Sequence, residues 1–173
     1  MTSLQLRTVA SPALHIPGTD PWHARGEDPA LTVMTDFRER ASITVADTDP
    51  IDAALEHMKH TGVRCAFAVD AERHLVIGLI TAYDISGERP MRLMQSQKVK
   101  RGALLVRDLM QPLREWRVLN VEDLERATVA SVERIFDATG LTHIPVMERN
   151  LQGELRLRGL LSSAKIKRLL SPE

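Results

Sequence analysis

Cysteine, aromatic residues and net charge are all scarce in this chain, and each shortage removes a class of function. Cys65 is the single cysteine among 173 residues, so no internal disulfide can form and a reducing compartment is expected. The six aromatics, Trp22, Phe37, Phe67, Tyr83, Trp116 and Phe136, are too few and too scattered for base-stacking platforms on single-stranded nucleic acid. Lysine and arginine (23) balance aspartate and glutamate (23), which leaves no basic excess to neutralise a phosphate backbone; nucleic acid is not an expected partner. No apolar run approaches the ~20 residues that cross a bilayer, and the chain does not start with a basic stretch leading into an apolar one. The reading is therefore a cytoplasmic protein without a membrane partner.

Catalytic signatures are missing too. There is no nucleophile elbow, no phosphate-binding glycine loop, no dinucleotide fingerprint and no pair of acids in a catalytic setting, so no enzyme activity is expected and no catalytic residue is assigned. His57 and His60 lie one helical turn apart without a third ligand, which reads as a solvated helix face and not a metal site. Cys65 belongs to an apolar strand and reads as inert packing. The basic cluster Lys98, Lys100, Arg101 and Arg107 reads as a solvated connection.

What the sequence does contain is a duplication. The first copy runs through a strand-like Leu31-Thr32-Val33-Met34, then Ile43-Thr44-Val45, a segment from Pro50 to Thr61 closed by Gly62, and Gly78-Leu79-Ile80-Thr81-Ala82-Tyr83-Asp84-Ile85. The second runs through Val106-Arg107-Asp108-Leu109-Met110, Val118-Leu119, Thr128 to Thr139 closed by Gly140, and Gly159-Leu160-Leu161-Ser162-Ser163-Ala164-Lys165-Ile166. Two copies are too few for a stacked solenoid and imply paired half-domains sharing one interface.

Within the first copy, Ile51, Ala54, Leu55 and Met58 form the i, i+3, i+4, i+7 stripe of an amphipathic helix. Asp49-Pro50 is its expected start and Gly62 its left-handed end. Cys65 to Val69, a turn at Asp70-Ala71-Glu72-Arg73, and Leu75 to Ile80 predict a buried hairpin. The second copy matches it with a Val129, Val132, Ile135, Phe136 stripe and a hairpin of Thr142 to Met147 and Leu155 to Leu161. Residues 1–28, interrupted by Pro12, Pro17, Gly18 and Pro21, predict an extended arm that Leu14, Ile16 and Trp22 strap to the body. The two copies then span 29–90 and 105–171, with a connection at 91–104 in which Met91, Leu93 and Met94 supply core, linker packing or a dimer face.

This order of elements, occurring twice with a Gly-hydrophobic-hydrophobic-Thr/Ser turn before each last helix, resembles cystathionine-β-synthase (CBS) domains over about Ala30 to Leu170. Thr142-His143-Ile144-Pro145-Val146 is similar to the family's strand entry, whereas the first copy has Phe67 where that proline would stand. The resemblance implies an α/β (α+β) fold of two β-α-β-β-α repeats about a pseudo-twofold axis, a tandem CBS pair or Bateman module. It further implies a freestanding regulatory homodimer that binds an adenine nucleotide, AMP or ADP ahead of ATP, requires no other cofactor, and signals energy state to a regulated protein.

The resemblance also implies the site. Thr81 and Asp84 would meet phosphate and ribose, with the adenine read near Ile43, Thr44 and Val45. Arg64, Thr142 and His143 would approach the phosphates, His143 with a pH-dependent charge. Ser162 keeps the hydroxyl in the second copy while Lys165 replaces the acid, so that cleft is expected to be degenerate unless Lys165 serves a phosphate. Two readings of Thr81-Ala82-Tyr83-Asp84 stand: ribose recognition, or a capping box that satisfies only local amides. Two alternatives to the nucleotide also stand, a ligand-free dimerisation scaffold and a module for S-adenosylmethionine.

Overall fold

In the computed structural model, which describes residues 21–171, the duplicated pattern folds as two four-stranded sheets, each backed by helices. The first sheet has the order β2 (Thr44–Ala46), β3 (Cys65–Val69), β4 (Val76–Thr81), β5 (Gln111–Pro112). The second has the order β1 (Thr35–Asp36), β8 (Leu155–Ser162), β7 (His143–Arg149), β6 (Leu119–Asn120). In both, the short strand before the long helix pairs parallel to the hairpin, and the remaining pairings are antiparallel. The long helices are α1 (Ile51–Thr61) and α6 (Val129–Thr139), the latter preceded by the one-turn α5 (Val121–Leu124); both long helices end on a glycine in the left-handed region, Gly62 at φ 70° and Gly140 at φ 68°, a conformation that costs glycine no Cβ clash. Their apolar stripes bury Ile51, Ala54 and Met58 in one core and Val129, Val132 and Phe136 in the other. The mixed α/β fold of two matching repeats is thus observed.

The two halves exchange segments. The runs read from sequence as strands, 31–34 and 106–110, are instead helical: a 3-10 turn at Ala30–Val33 and the short helix α4 (Val106–Leu109). Apolar residues three apart (Ala30 and Val33; Val106 and Leu109) are buried on one side of each turn, a spacing that an extended chain would split between two faces. Each turn packs into the other copy's core. Ala30, Val33 and Met34 join the core built on α6, and Leu104, Val106 and Leu109 join the core built on α1.

The crossing strands then complete the opposite sheet, β1 on β8 and β5 on β4. Gly159 and Gly78 make room for them. A Cβ on Gly159 would lie 2.6 Å from the Thr35 carbonyl oxygen and 2.7 Å from the Met34 sulfur, and one on Gly78 would lie 2.8 Å from both the Gln111 carbonyl oxygen and the Met110 sulfur. The repeated Met and the repeated Gly of the sequence therefore meet reciprocally across the halves. Arg158 on β8 pairs with Asp36 and, at 3.2 Å, with Glu148, adding a half-buried ionic tie to the β1 crossing.

Between the sheets lies a third apolar cluster. Cys65, Phe67 and Leu79 are buried there against Leu157 and Leu160 of the other half, with Phe37 and Trp116 alongside. Phe67 meets Phe37 edge-on, with ring centroids 5.6 Å apart and planes at 83°, and meets Trp116 at 5.8 Å and 52°; both are favourable offset geometries. Phe67 pairs with Leu79, and its counterpart Pro145 pairs with Leu160.

Several local expectations are corrected. Asp49 does not cap α1: its carboxylate accepts from the Ala46 amide at 2.9 Å, and the Ile51 amide donates to the Leu104 carbonyl at 3.1 Å. The segment after Thr81 splits into α2 (Ala82–Ser86) and α3 (Arg89–Gln97), so much of the expected connection is helical, with Met91 exposed and Leu93 and Met94 packed on the first core. Arg101 of the basic cluster is structural, pairing with Asp52 at 2.8 Å and donating to the Ile85 carbonyl. Leu14 and Ile16 lie outside the described residues. Trp22 is 93% exposed and straps nothing; the docking contact is made by buried Ala24, whose amide donates to the Leu169 carbonyl at 2.8 Å at the end of α7 (Ser163–Leu170).

Candidate functional site

Two clefts flank the interface between the sheets, and they are built from equivalent elements of opposite halves. The smaller, about 440 Å³, is lined by Thr81, Tyr83, Asp84 and Arg89 on one side and by Gly140 to His143 on the other, with Gln111 and Glu115 at its edge. The larger, about 660 Å³, is lined by Ser162, Ala164, Lys165 and Arg168 and by Gly62 to Cys65, with Thr35, Phe37, Arg40 and Ile43 at its edge. His143 lines both.

The sequence-derived candidates divide accordingly. Thr81, Asp84 and Thr142 fall together in the smaller cleft; Arg64, Ser162 and Lys165 fall together in the larger. Thr44 and Val45 line neither. Thr44 is exposed, and Val45 is buried in the core beneath the first sheet, because alternation along β2 sends it toward α1. Ile43, expected beside Asp84, lines the other cleft. The crossing segments supply Gln111 and Glu115 to the smaller cleft and Thr35, Phe37 and Arg40 to the larger, whereas Ile43 stays beside the first sheet, its carbonyl accepting from the Phe67 amide at 2.9 Å.

Thr81 and Asp84 form a complete capping box. The Asp84 amide donates to Thr81 Oγ1 at 3.1 Å, while Asp84 Oδ2 accepts from the Thr81 amide at 2.9 Å and from its hydroxyl at 2.7 Å. The other oxygen, Oδ1, accepts from Arg89 Nη1 at 3.2 Å. Both oxygens of the carboxylate thus have protein partners within hydrogen-bond reach. Asp84→Ala is expected to lower stability by about 1 kcal/mol through loss of the cap, measured as a fall in the urea midpoint at unchanged slope.

Ser162 repeats the cap in weaker form, accepting from the Lys165 amide at 3.4 Å. Lysine at that position brings a cation to the start of the eight-residue helix α7, against the sense of its dipole, and Arg168 follows one turn later on the same face. Arg64 arrives from the α1–β3 corner and donates to Tyr83 Oη at 3.0 Å, and Arg40 follows β1. Among the described residues that line this cleft none is acidic, while four are basic. The smaller cleft mixes Asp84 and Glu115 with Arg89.

His143 does not supply the pH-dependent charge expected of it. Burial holds its pKa down, to about 4; the Asp84 carboxylate pulls it up and the Arg64 guanidinium pushes it down. The ring is neutral at neutral pH and offers hydrogen bonds, one of them to Thr142 Oγ1 at 3.1 Å. The unfolded chain protonates near the ordinary value of 6.5, so between there and about pH 4 it takes up a proton that the folded chain refuses, and stability falls as pH falls. His143→Gln is expected to flatten that part of the stability–pH curve, as read from urea midpoints at pH 7, 5.5 and 4. Cys65, the counterpart of His143 on β3, is a buried thiol pushed up to about 12, consistent with its reading as packing.

Sequence reasoning missed Phe37, Arg40 and Arg168. Arg168 carried a signal, its spacing from Lys165; Arg40 and Phe37 carried none, since only the crossing of β1 brings them here.

Comparison with known proteins agrees with this architecture. Residues 33–89 match the CBS domain family. The fold is similar to that of the CBS-pair protein CBSX2 from Arabidopsis thaliana, whose crystal structure in complex with AMP has 20% identity, a TM-score of 0.51, and coverage of 83% of this chain and 95% of that one. A CBS-domain-containing protein of Agrobacterium tumefaciens aligns at 16% identity and a TM-score of 0.57, over 90% of this chain and 98% of that one. Protein MJ1225 of Methanocaldococcus jannaschii, a putative archaeal homolog of g-AMPK, aligns at 20% identity and a TM-score of 0.52, over 75% of this chain and 46% of that one. No curated protein sequence matches the chain. The family match is confined to residues 33–89, and the two halves together have the fold of CBS-pair proteins.

Among the described residues no helix is long and apolar enough to cross a membrane.

Proposed function

We propose that the chain is a regulatory module that binds an adenine nucleotide in the larger cleft and passes its occupancy to a partner protein. The observation that carries this reading is the cleft's make-up: apolar walls from Phe37, Ile43, Val63 and Leu160, four cationic side chains, and no acid among the described lining residues. A flat base suits the first and phosphates the second. The volume, about 660 Å³, falls in the range of small-molecule sites. The AMP complex of CBSX2 supports adenine as the base. Of the two sequence readings of the Lys165 cleft, degenerate or with Lys165 serving a phosphate, this assignment takes the second.

Signalling follows from the lining. Arg64 and Val63 belong to one half and Lys165 and Arg168 to the other, so a ligand touching both favours one relative orientation of the halves and shifts the population toward it. The working unit in this reading is a cytoplasmic homodimer, which light scattering would show as twice the 19.4 kDa of one chain.

Isothermal titration with AMP, ADP, ATP and S-adenosylmethionine tests the assignment. The phosphate-bearing ligands are expected to bind, and more weakly as salt rises. S-adenosylmethionine, with a sulfonium in place of phosphate, is expected not to bind a cationic cleft. Failure of every nucleotide at millimolar concentration would leave the ligand-free scaffold as the function.

A further inference from the structure

The placement of the four cations says more than that the ligand is anionic. Lys165 and Arg168 project from the first two turns of α7, Arg64 comes from the α1–β3 corner of the other half, and Arg40 from the segment after β1. These cations come from both halves, so an anionic ligand that meets them all touches both. The repeat adds a second constraint. Lys165 stands in the second copy where Asp84 stands in the first, three residues after the capping hydroxyl. A carboxylate there can accept from the paired hydroxyls of a ribose; an ammonium cannot accept at all and only donates. Among the described lining residues no carboxylate takes over the acceptor role.

The chemistry of dinucleotide sites sets the precedent: an acid reads a free ribose 2′-hydroxyl, and an arginine nearby accommodates a phosphate on that hydroxyl. Resting on the nucleotide reading above, the geometry points to a ligand phosphorylated on its ribose, at the 2′ or 3′ oxygen, as well as at its 5′ end. In this arrangement Lys165 and Arg168 hold the ribose phosphate and Arg64 and Arg40 the 5′ group. Such a ligand ties α7 of one half to the α1–β3 corner of the other through charge-assisted bonds at both ends.

The test compares three ligands of equal phosphate number, with AMP as the monophosphate reference. Adenosine 3′,5′-bisphosphate, adenosine 2′,5′-bisphosphate, ADP and AMP are titrated into the full chain by calorimetry at one ionic strength. One of the two bisphosphates is expected to bind at least about tenfold more tightly than ADP, the equivalent of one charge-assisted contact. Lys165→Asp is expected to abolish that preference and to favour AMP, with its thermal midpoint showing that the variant folds; Lys165→Arg should keep the preference. ADP binding as tightly as both bisphosphates, or a preference that survives Lys165→Asp, overturns the inference while leaving the nucleotide reading in place. Absence of binding by all four ligands overturns both.

Discussion

Phe67→Ala is expected to lower the free energy of unfolding by about 3–5 kcal/mol, the loss typical of truncating a buried aromatic. Phe67 is 2% exposed and contacts an aromatic ring on either side, Phe37 and Trp116. Its position sets the effect apart from that of an ordinary core residue, because it belongs to neither helix-backed core but to the cluster between the sheets, facing Leu157 and Leu160. Removing the ring therefore weakens the association of the halves as well as the packing of one of them. The same ring lines the larger cleft, so nucleotide affinity is expected to fall with it. Phe67→Leu keeps most of the volume and should recover much of the stability. The check is chemical denaturation of the three proteins, with calorimetric titration of the variants that fold.

Gly159→Ala is the second large effect, expected to cost about 1–3 kcal/mol by overpacking. The added methyl would meet the Thr35 carbonyl oxygen at 2.6 Å and the Met34 sulfur at 2.7 Å. Methionine can move aside; a backbone carbonyl in a strand pair cannot without parting β1 from β8. The amide of Phe37, which donates to the Arg158 carbonyl at 3.0 Å, reports that parting, and its hydrogen exchange should speed up in the variant. Gly78→Ala is expected to act in the same way on β5, against the Gln111 carbonyl oxygen at 2.8 Å. Gly102→Ala, with nothing within 4 Å of the added atom, should be close to neutral and serves as the control.

The stripes of α1 and α6, their closing glycines and the two hairpins were readable because helical and strand periodicities are local properties of the chain. The repeat itself predicted matched halves and placed Ser162 and Lys165 opposite Thr81 and Asp84. The exchange of segments was not readable: a two-residue strand has no periodicity, and nothing local to Thr35–Asp36 names β8 as its partner. The apolar runs ending at Met34 and Met110 are short enough to read as strands, and only their partners in the opposite core make them helical.

The same non-local step explains the site. The resemblance puts Thr44 and Val45 beside the base, but the edge of the larger cleft is formed by Thr35, Phe37 and Arg40, which precede them. The Ile51 amide meets the Leu104 carbonyl instead of the Asp49 side chain for a similar reason: the connection that leads into the second copy passes over the start of α1. The type of His143 suggests a pH-dependent charge, and burial between two clefts holds the ring neutral at neutral pH.

Ligand occupancy of the Lys165 cleft is most directly tested by an amide NMR titration of the isotope-labelled chain with ADP. Concentration-dependent shifts are expected at Gly62 to Cys65 and at Ser162 to Arg168, lining both sides of that cleft, with the amides of Thr81 to Asp84 changing least. Shifts confined to Thr81 to Asp84 and Gly140 to Thr142 would contradict it, as would a spectrum that millimolar ADP leaves unchanged.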